Sequence, residues 1–423
     1  MSSKISKGIE NQLQKLDKLP IKNTSTPAVR RLCAWIVGAV YFGGGILKLI
    51  DPTGAGLVME EYFKFLHLPF LLPMAKHFGV ALALFEAILG LALITGVFRK
   101  VVAIIVSIVQ LIFTGLTLAL VIINPIMDCG CFGEAIHLTH LQTFLKNVIL
   151  IVLILCAFAP YKKFGRPKKK KYFTFILTSL ATIAFMLHAL YNLPLVDFTM
   201  FKPGTQIMAA KDNYVDGAAY ESVFIYEKEG EKEAFTLENL PDSTWSFVET
   251  QTKQLELGYD APIFSFYDRY GEYKDELAAE DNVLVINIYN PGIPAEKWKE
   301  IYSLTKLVRE SGFRVLIVLR SEPSDVEGLL EDLNPEIRME LQNIIYFSDY
   351  KTLITINRSN AGLTLLNKGY IICKWKSTKY PSIEDLDELY DSNEVETTLG
   401  YNVKGSLYFQ GFLLLMFAII ILI

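Results

Sequence analysis

A chain of 423 residues with 52% hydrophobic residues, only 20% charged residues and a formal net charge of −4 is too apolar to be an ordinary soluble protein throughout. Its basic residues sit beside apolar runs rather than along one groove-facing surface, which argues against nucleic-acid binding. Five cysteines are too few for a disulfide-stapled scaffold.

Residues 1–29 are polar and lysine-bearing and lack an apolar h-region, so no cleavable signal peptide is expected and the first span should stay as an anchor. A helix crosses a bilayer with about 20 mostly apolar residues. Stretches 32–50, 78–98, 101–124, 141–159, 172–191 and 405–423 meet that length and composition. Lys15, Lys18, Lys22, Arg30 and Arg31 precede the first, Arg99 and Lys100 separate the second and third, and a basic linker at 161–171 joins the fourth and fifth. Positive-inside logic then puts the N-terminal segment and that linker in the cytoplasm. The short loops at 51–77 and 125–140, whose only Lys or Arg residues are Lys64 and Lys76, and the acidic region after the fifth span face the other side. The linker is read as a stop signal that fixes orientation, with recognition of membrane lipids as the alternative.

Between the fifth and sixth spans the pattern changes to that of soluble domains. Residues 192–258 contain ESVFIYEKEGEKEAFTL, a strand-turn-strand pattern that predicts a small β-rich subdomain. Residues 259–402 carry NVLVINIYN, an apolar β-branched run suited to a buried central strand. PGIP breaks it, AEKWKEIYSLTKLVRES has helical periodicity, and Phe313–Leu319 is a second buried strand. A hairpin is expected to turn at Asn367-Lys368-Gly369. Strand, helix, strand, helix, hairpin is an α/β pattern.

The residues that could carry chemistry lie in or beside the spans. Cys129-Gly130-Cys131 follows the third apolar run. Residues i and i+2 can bring Cα atoms within the ~4.4–6.8 Å that a disulfide needs, helped by the freedom of Gly130. So small a ring is strained and therefore oxidising. The same two thiols supply half a tetrahedral zinc site, with His137 and His140 near in sequence, although no metal is favoured. The third reading is a tight turn with no chemistry. Asp128 should raise the Cys129 pKa, since a like charge disfavours the thiolate, which leaves Cys131 as the better attacking thiol. Glu86 lies inside the second span, where an ionisable group costs at least ~2.5–3.5 kcal/mol and marks a functional or paired position. Lys48 or Lys146 can reach it. It is either half of an ion pair that ties helices together or a proton relay and ligand-binding group beside the cysteines. Gly43, Gly44 and Gly45 suit close helix packing. Cys33, Cys156 and Cys373 are expected to be small buried hydrophobes. A transporter is disfavoured, because the spans carry few polar residues beyond Glu86 and Gln110.

Tyr41-Phe-Gly-Gly-Gly-Ile-Leu-Lys48 running into Asp51-Pro52, Phe85-Glu86 with Gly90 and Gly96, and Asp128-Cys-Gly-Cys-Phe-Gly133 together resemble the DoxX/MauE family of bacterial inner-membrane proteins over residues 30–160. The resemblance implies a four-helix membrane bundle and a part in periplasmic disulfide formation. It also implies a membrane quinone as electron acceptor, with Cys129, Cys131, Glu86 and Asp128 as catalytic candidates and Lys48 with Glu86 as the quinone-binding pair. The tail of the chain resembles thioredoxin-like domains of the TlpA type at Ala261-Pro-Ile-Phe264 and Val283–Tyr289. Where those domains carry WCxxC, this chain reads Tyr289-Asn-Pro-Gly-Ile-Pro294, so thioredoxin chemistry is not expected there. The expected function is thiol–disulfide oxidoreduction on periplasmic client proteins, in a multi-pass inner-membrane protein that can join a larger complex. The alternative is a non-enzymatic envelope scaffold that binds a partner through this degenerate thioredoxin-like domain.

Overall fold

The computed structural model describes residues 27–125, 127, 129–159, 167–207, 220–228, 231–235, 245–254, 262–391 and 394–422. The N-terminal segment, Asp128 and most of the basic linker lie outside the described residues. The chain divides into two compact units, residues 1–191 with 410–423, and residues 192–409.

The first unit is helical. Helices α1 (Pro27–Ile50), α2 (Pro52–Phe65), α3 (Ala75–Thr95), α4 (Arg99–Ile123), α5 (His140–Phe158) and α6 (Lys169–Tyr191) follow in order. Among the described residues six helical stretches are long and apolar enough to cross a membrane, including one in the C-terminal helix. These helices are inside-out relative to a soluble bundle. On α4, Ile108, Leu111, Ile112 and Ile122 are exposed, while Gln110 and Thr117 are buried. That distribution fits a lipid surround, in which apolar side chains gain nothing by hiding and polar ones must pair inside. On α6, Thr174, Thr178 and Thr182 are buried in i, i+4 steps, and Thr178 and Thr182 each donate a hydroxyl hydrogen to the carbonyl one turn back at 2.9 Å. Cys33 is buried as expected, but Cys156 points outward from α5.

Two sequence expectations need correction here. Residues 51–77, expected to be a loop, instead form α2 and a 3-10 segment, Pro69–Met74. Asp51 caps α2 by accepting from the Gly54 N–H at 2.9 Å, and Pro52 at the first helical position needs no N–H partner. The second span also ends at Thr95 rather than 98, because Gly96 adopts a left-handed φ of 71° that terminates a helix without strain.

The second unit contains two sheets. Strands β1 (Tyr220–Lys228), β2 (Glu231–Phe235) and β3 (Ser246–Gln254) form an antiparallel sheet in the order β2-β1-β3. Strands β4 (Val283–Ile288), β5 (Arg314–Leu319), β6 (Ile345–Phe347), β7 (Gly362–Asn367) and β8 (Tyr370–Trp375) form a mixed sheet in the order β6-β5-β4-β7-β8. β4, β5 and β6 are parallel, and β7 and β8 run against them. Every residue of β4 is buried. Its odd and even positions serve opposite faces: Leu284, Ile286 and Ile288 pack with Trp298 and Ile301 of helix α7 (Ala295–Glu310), and Val283 and Val285 pack with Phe264, Phe266 and Leu353. The β7–β8 hairpin turns at Lys368-Gly369, both with positive φ, as a two-residue hairpin requires.

Past the end of β4, where PGIP interrupts the chain, Asn290 and Asn360 clasp each other. The Asn290 N–H donates to Asn360 Oδ1, and Asn360 Nδ2 donates to the Asn290 carbonyl, both at 2.9 Å. Elsewhere in this unit the Lys374 ammonium meets Asp197 at 2.6 Å in a nearly buried pair. Burial would raise the Asp197 carboxyl, but the Lys374 charge and hydrogen bond outweigh it and hold it below the usual range.

Candidate functional site

The membrane unit holds a partly open cavity of ≈ 180 Å³. Its walls come from α1 through α5 and from the turn at 129–132. Most of the lining is apolar, including Val40, Phe113 and Leu150, but the cavity also takes in Lys48, Glu86, Gln110, Asn147 and both cysteines of the turn. Structure therefore gathers Cys129, Cys131, Glu86 and Lys48 at one place. Asp128 lies outside the described residues.

The turn reaches the cavity because its backbone is held at several points. Helix α4 stops at Asn124, in a left-handed conformation with φ 48°. His140 at the start of α5 bonds to Asn124 Oδ1 at 3.3 Å and to the Met127 carbonyl at 2.9 Å. His140 is thus engaged with the turn's backbone, and His137 is exposed, so the two cysteines gather no metal site of three or more ligands among the described residues. Gly130 has φ 59°, and a Cβ there would run into the side chain of Val58 on α2. The Tyr62 hydroxyl donates to the Cys129 carbonyl at 2.9 Å, which fastens the turn to the same helix.

Both cysteines are free thiols. Cys129 is 4% exposed and Cys131 is half-buried. The Thr143 hydroxyl donates to Cys129 Sγ at 2.9 Å. Cys129 is pulled down to about 5 by the hydrogen bond from the Cys131 thiol, opposed by burial and aided by the Cys131 backbone N–H, Thr143 and Lys146. Cys131 is pushed up, first because it must keep the proton it donates and then by burial. Among the described residues the turn's own donors favour Cys129 as the sulfur that carries the thiolate; Asp128, from which the opposite order was expected, lies outside them.

Glu86 takes Lys48 as its partner rather than Lys146. The Lys48 ammonium donates to both carboxylate oxygens, at 2.9 and 2.7 Å, with both side chains nearly buried. Lys146 lies instead over the Phe132 ring, 4.9 Å from its centroid, within reach of the cysteines. Across the cavity, the Tyr41 hydroxyl donates to Gln110 Oε1 at 2.8 Å. Gln110 Nε2 donates to the Asn147 carbonyl at 3.2 Å, and Asn147 Nδ2 donates to Thr117 Oγ1 at 3.1 Å. Tyr41, Thr143, Asn147 and Thr117 escaped the sequence reading. The available signal was the spacing of Thr143, Lys146 and Asn147, which puts one polar stripe on α5.

A low-pKa thiol has a characteristic pH profile, because only the thiolate reacts. In a Cys131→Ser variant, whose hydroxyl preserves the donor, methanethiosulfonate labelling of Cys129 should stay level from pH 8 down to about pH 6 and fall only as the pH passes about 5. An ordinary thiol loses about tenfold for each unit below its pKa of ~8.5. Thr143→Val removes one donor to the thiolate, and the midpoint should rise by about one pH unit. Labelling is read on the Cys129 peptide by mass spectrometry; a midpoint above 8 in the parent variant would show that the turn does not stabilise the thiolate.

No curated protein and no solved structure matches this chain. Residues 220–256, which contain the antiparallel sheet, match the model of a domain of unknown function. The cavity-forming segment, residues 26–160, matches the model of the membrane protein family described as methylamine utilisation protein MauE.

Proposed function

We propose that this protein is a membrane thiol–disulfide oxidoreductase in which the Cys129–Cys131 pair collects electrons from thiols of secreted proteins and passes them to a membrane quinone. The observation that carries the proposal is the meeting of a stabilised thiolate donor set with an apolar cavity. In the oxidised protein, a client thiolate attacks the Cys129–Cys131 disulfide and forms a mixed disulfide. The client's second thiol resolves it, leaving the client oxidised and both cysteines reduced. As the pair closes its S–S bond again it loses two electrons and two protons, and a quinone bound in the cavity would supply the acceptor for both. Lys48 would hold the near oxygen of a bound quinone, and Glu86 holds Lys48 in place.

The proposed setting is a bacterial inner membrane, with the turn and the 192–402 region on the periplasmic side; the basic flanks of the spans support that orientation. The 259–402 region is proposed to be a thioredoxin-like docking module. A central β4 between a parallel β5 and an antiparallel β7–β8 hairpin supports that fold, and the cysteine-free end of β4 supports a non-catalytic role. One observation favours a second reading, a partner-binding scaffold without redox activity. The Asn290–Asn360 clasp occupies the strand end where the thioredoxin-like resemblance expects the redox motif.

Thiol trapping in intact cells separates the two. Cells making the full chain are treated with a maleimide that shifts gel mobility, with respiration running and with quinone turnover stopped. Redox function is expected to show the pair oxidised in respiring cells and reduced within minutes of the block. A pair whose state ignores respiration would leave the scaffold reading.

A further inference from the structure

We infer that Gln110 and Asn147 form a second hydrogen-bonding pole, opposite Lys48, that holds the far oxygen of the quinone in both of its redox states. The quinone itself comes from the function proposed above; the pole rests on separate observations.

Three observations place it. First, the pole sits at the other end of the cavity. Tyr41, which bonds Gln110, lies two turns before Lys48 on α1, a rise of about 10 Å. Tyr41, Gly44 and Lys48 all line the cavity, on one face of that helix. A ring with two opposed oxygens and a hydrogen bond at each end suits a gap of that length.

Second, the pole is buried but incompletely paired. Gln110 is 1% exposed and Asn147 2%. A glutamine amide has two N–H donors, and Gln110 uses one, to the Asn147 carbonyl. Asn147 spends both its donors, on Thr117 Oγ1 and on the Phe113 carbonyl at 3.4 Å, and its Oδ1 receives no hydrogen bond among the described residues. One donor and one acceptor are therefore left over on two residues that line the same cavity. Neither atom is a fully buried orphan; both residues line the cavity, where a ligand can take up the spare donor and acceptor.

Third, the leftover pair has the chemistry of a redox carbonyl. A quinone oxygen can only accept, and Gln110 Nε2 offers it a hydrogen. After reduction the same oxygen bears a hydrogen, and Asn147 Oδ1 can take it while the Gln110 contact persists. An apolar head group would leave both unpaired.

The test uses the full chain in lipid nanodiscs with Cys129→Ser and Cys131→Ser, so that binding is read without electron transfer. Ubiquinone-1 and its hydroquinone are titrated by equilibrium dialysis. Gln110→Leu is expected to weaken both ligands about tenfold, the loss of one hydrogen bond. Asn147→Leu is expected to weaken the hydroquinone about tenfold more than the quinone, a redox-state dependence that a merely structural residue does not produce. Leu111→Ala, on the outer face of α4, should change neither. Equal affinity in parent and leucine variants, or no binding to the parent, overturns the inference. The redox reading fails separately, if trapping shows cysteines that never change state while the nanodisc binding still depends on Gln110. Should the leucine variants not fold, infrared spectra of the parent with ubiquinone-1 labelled with carbon-13 at each carbonyl in turn decide the matter. Both carbonyl bands shifted to lower frequency support the pole, and one band at its free position overturns it.

Discussion

Lys48→Met should strongly destabilise the membrane unit in detergent, and Lys48→Met combined with Glu86→Met should restore most of its stability. Lys48 and Glu86 are paired at 2.7 Å with side chains 12% and 6% exposed. Removing either partner leaves the other charge buried without compensation, a loss of about 3–5 kcal/mol. That is a large share of the 5–15 kcal/mol by which a typical domain is stable. Two methionines leave no charge behind and fill much of the same volume with adaptable chains, so the double variant should recover most of the loss. Size-exclusion profiles and thermal melts of the four proteins form a double-mutant cycle. A double variant as unstable as either single one would mean that the pair is not the local source of stability. The restored double variant also separates the two roles expected of Glu86: loss of respiration-dependent thiol oxidation in a folded protein assigns the pair to the chemistry, and retention assigns it to the architecture.

Three consecutive glycines on α1 should respond to alanine in three different ways. A Cβ on Gly43 meets nothing within 4 Å; there alanine removes a helix-weakening residue, so a gain of about 0.5–1 kcal/mol is expected. A Cβ on Gly44 lies 3.3 Å from the Cys131 carbonyl, and the turn must give slightly. A Cβ on Gly45 lies 2.5 Å from the Ala87 backbone nitrogen and 2.6 Å from the Ala83 carbonyl of α3. These are backbone atoms, and they can yield only if α1 and α3 move apart. Gly45→Ala should therefore cost about 1–3 kcal/mol, and Gly45→Leu should prevent the two helices from meeting. Gly90 on α3 answers from the other side, since a Cβ there would run into the Phe42 backbone. Melting temperatures in a fixed detergent rank the series; equal values for Gly43→Ala and Gly45→Ala would rule out glycine-mediated closeness at this crossing.

Much of the membrane unit is legible from hydropathy, because twenty apolar residues in a row have few alternatives. The 52–74 segment is not. α2 turns Val58, Met59 and Tyr62 toward the cavity while carrying Glu60, Glu61 and Lys64 in the same two turns, so its mean character is that of a loop. Glu86 announces itself as a charge in an apolar run, but sequence alone leaves both Lys48 and Lys146 as partners, and only the crossing of α1 and α3 decides for Lys48. Gln110 is visible for the same reason as Glu86. Asn147 and Thr143 are not, since a lone small polar residue in a span more often packs than binds. The order of the two thiols is illegible for a different reason: it depends on the Cys131 thiol and N–H and on the Thr143 hydroxyl, which reach Cys129 only once the turn is folded. In the soluble unit, alternation and the Lys368-Gly369 turn expose the strands, whereas the Asn290–Asn360 clasp joins residues seventy positions apart and leaves no local trace.

Gly130 sits between the cysteines with φ 59°, under a helix that leaves no room for a Cβ. Anyone screening related chains for this site can therefore use the middle position as a filter. A Cys-x-Cys turn with any other residue at x would have to lift off α2, break the Tyr62 tether and swing its sulfurs away from the chamber. Cysteine spacing alone would accept such a chain; the glycine tells the two apart.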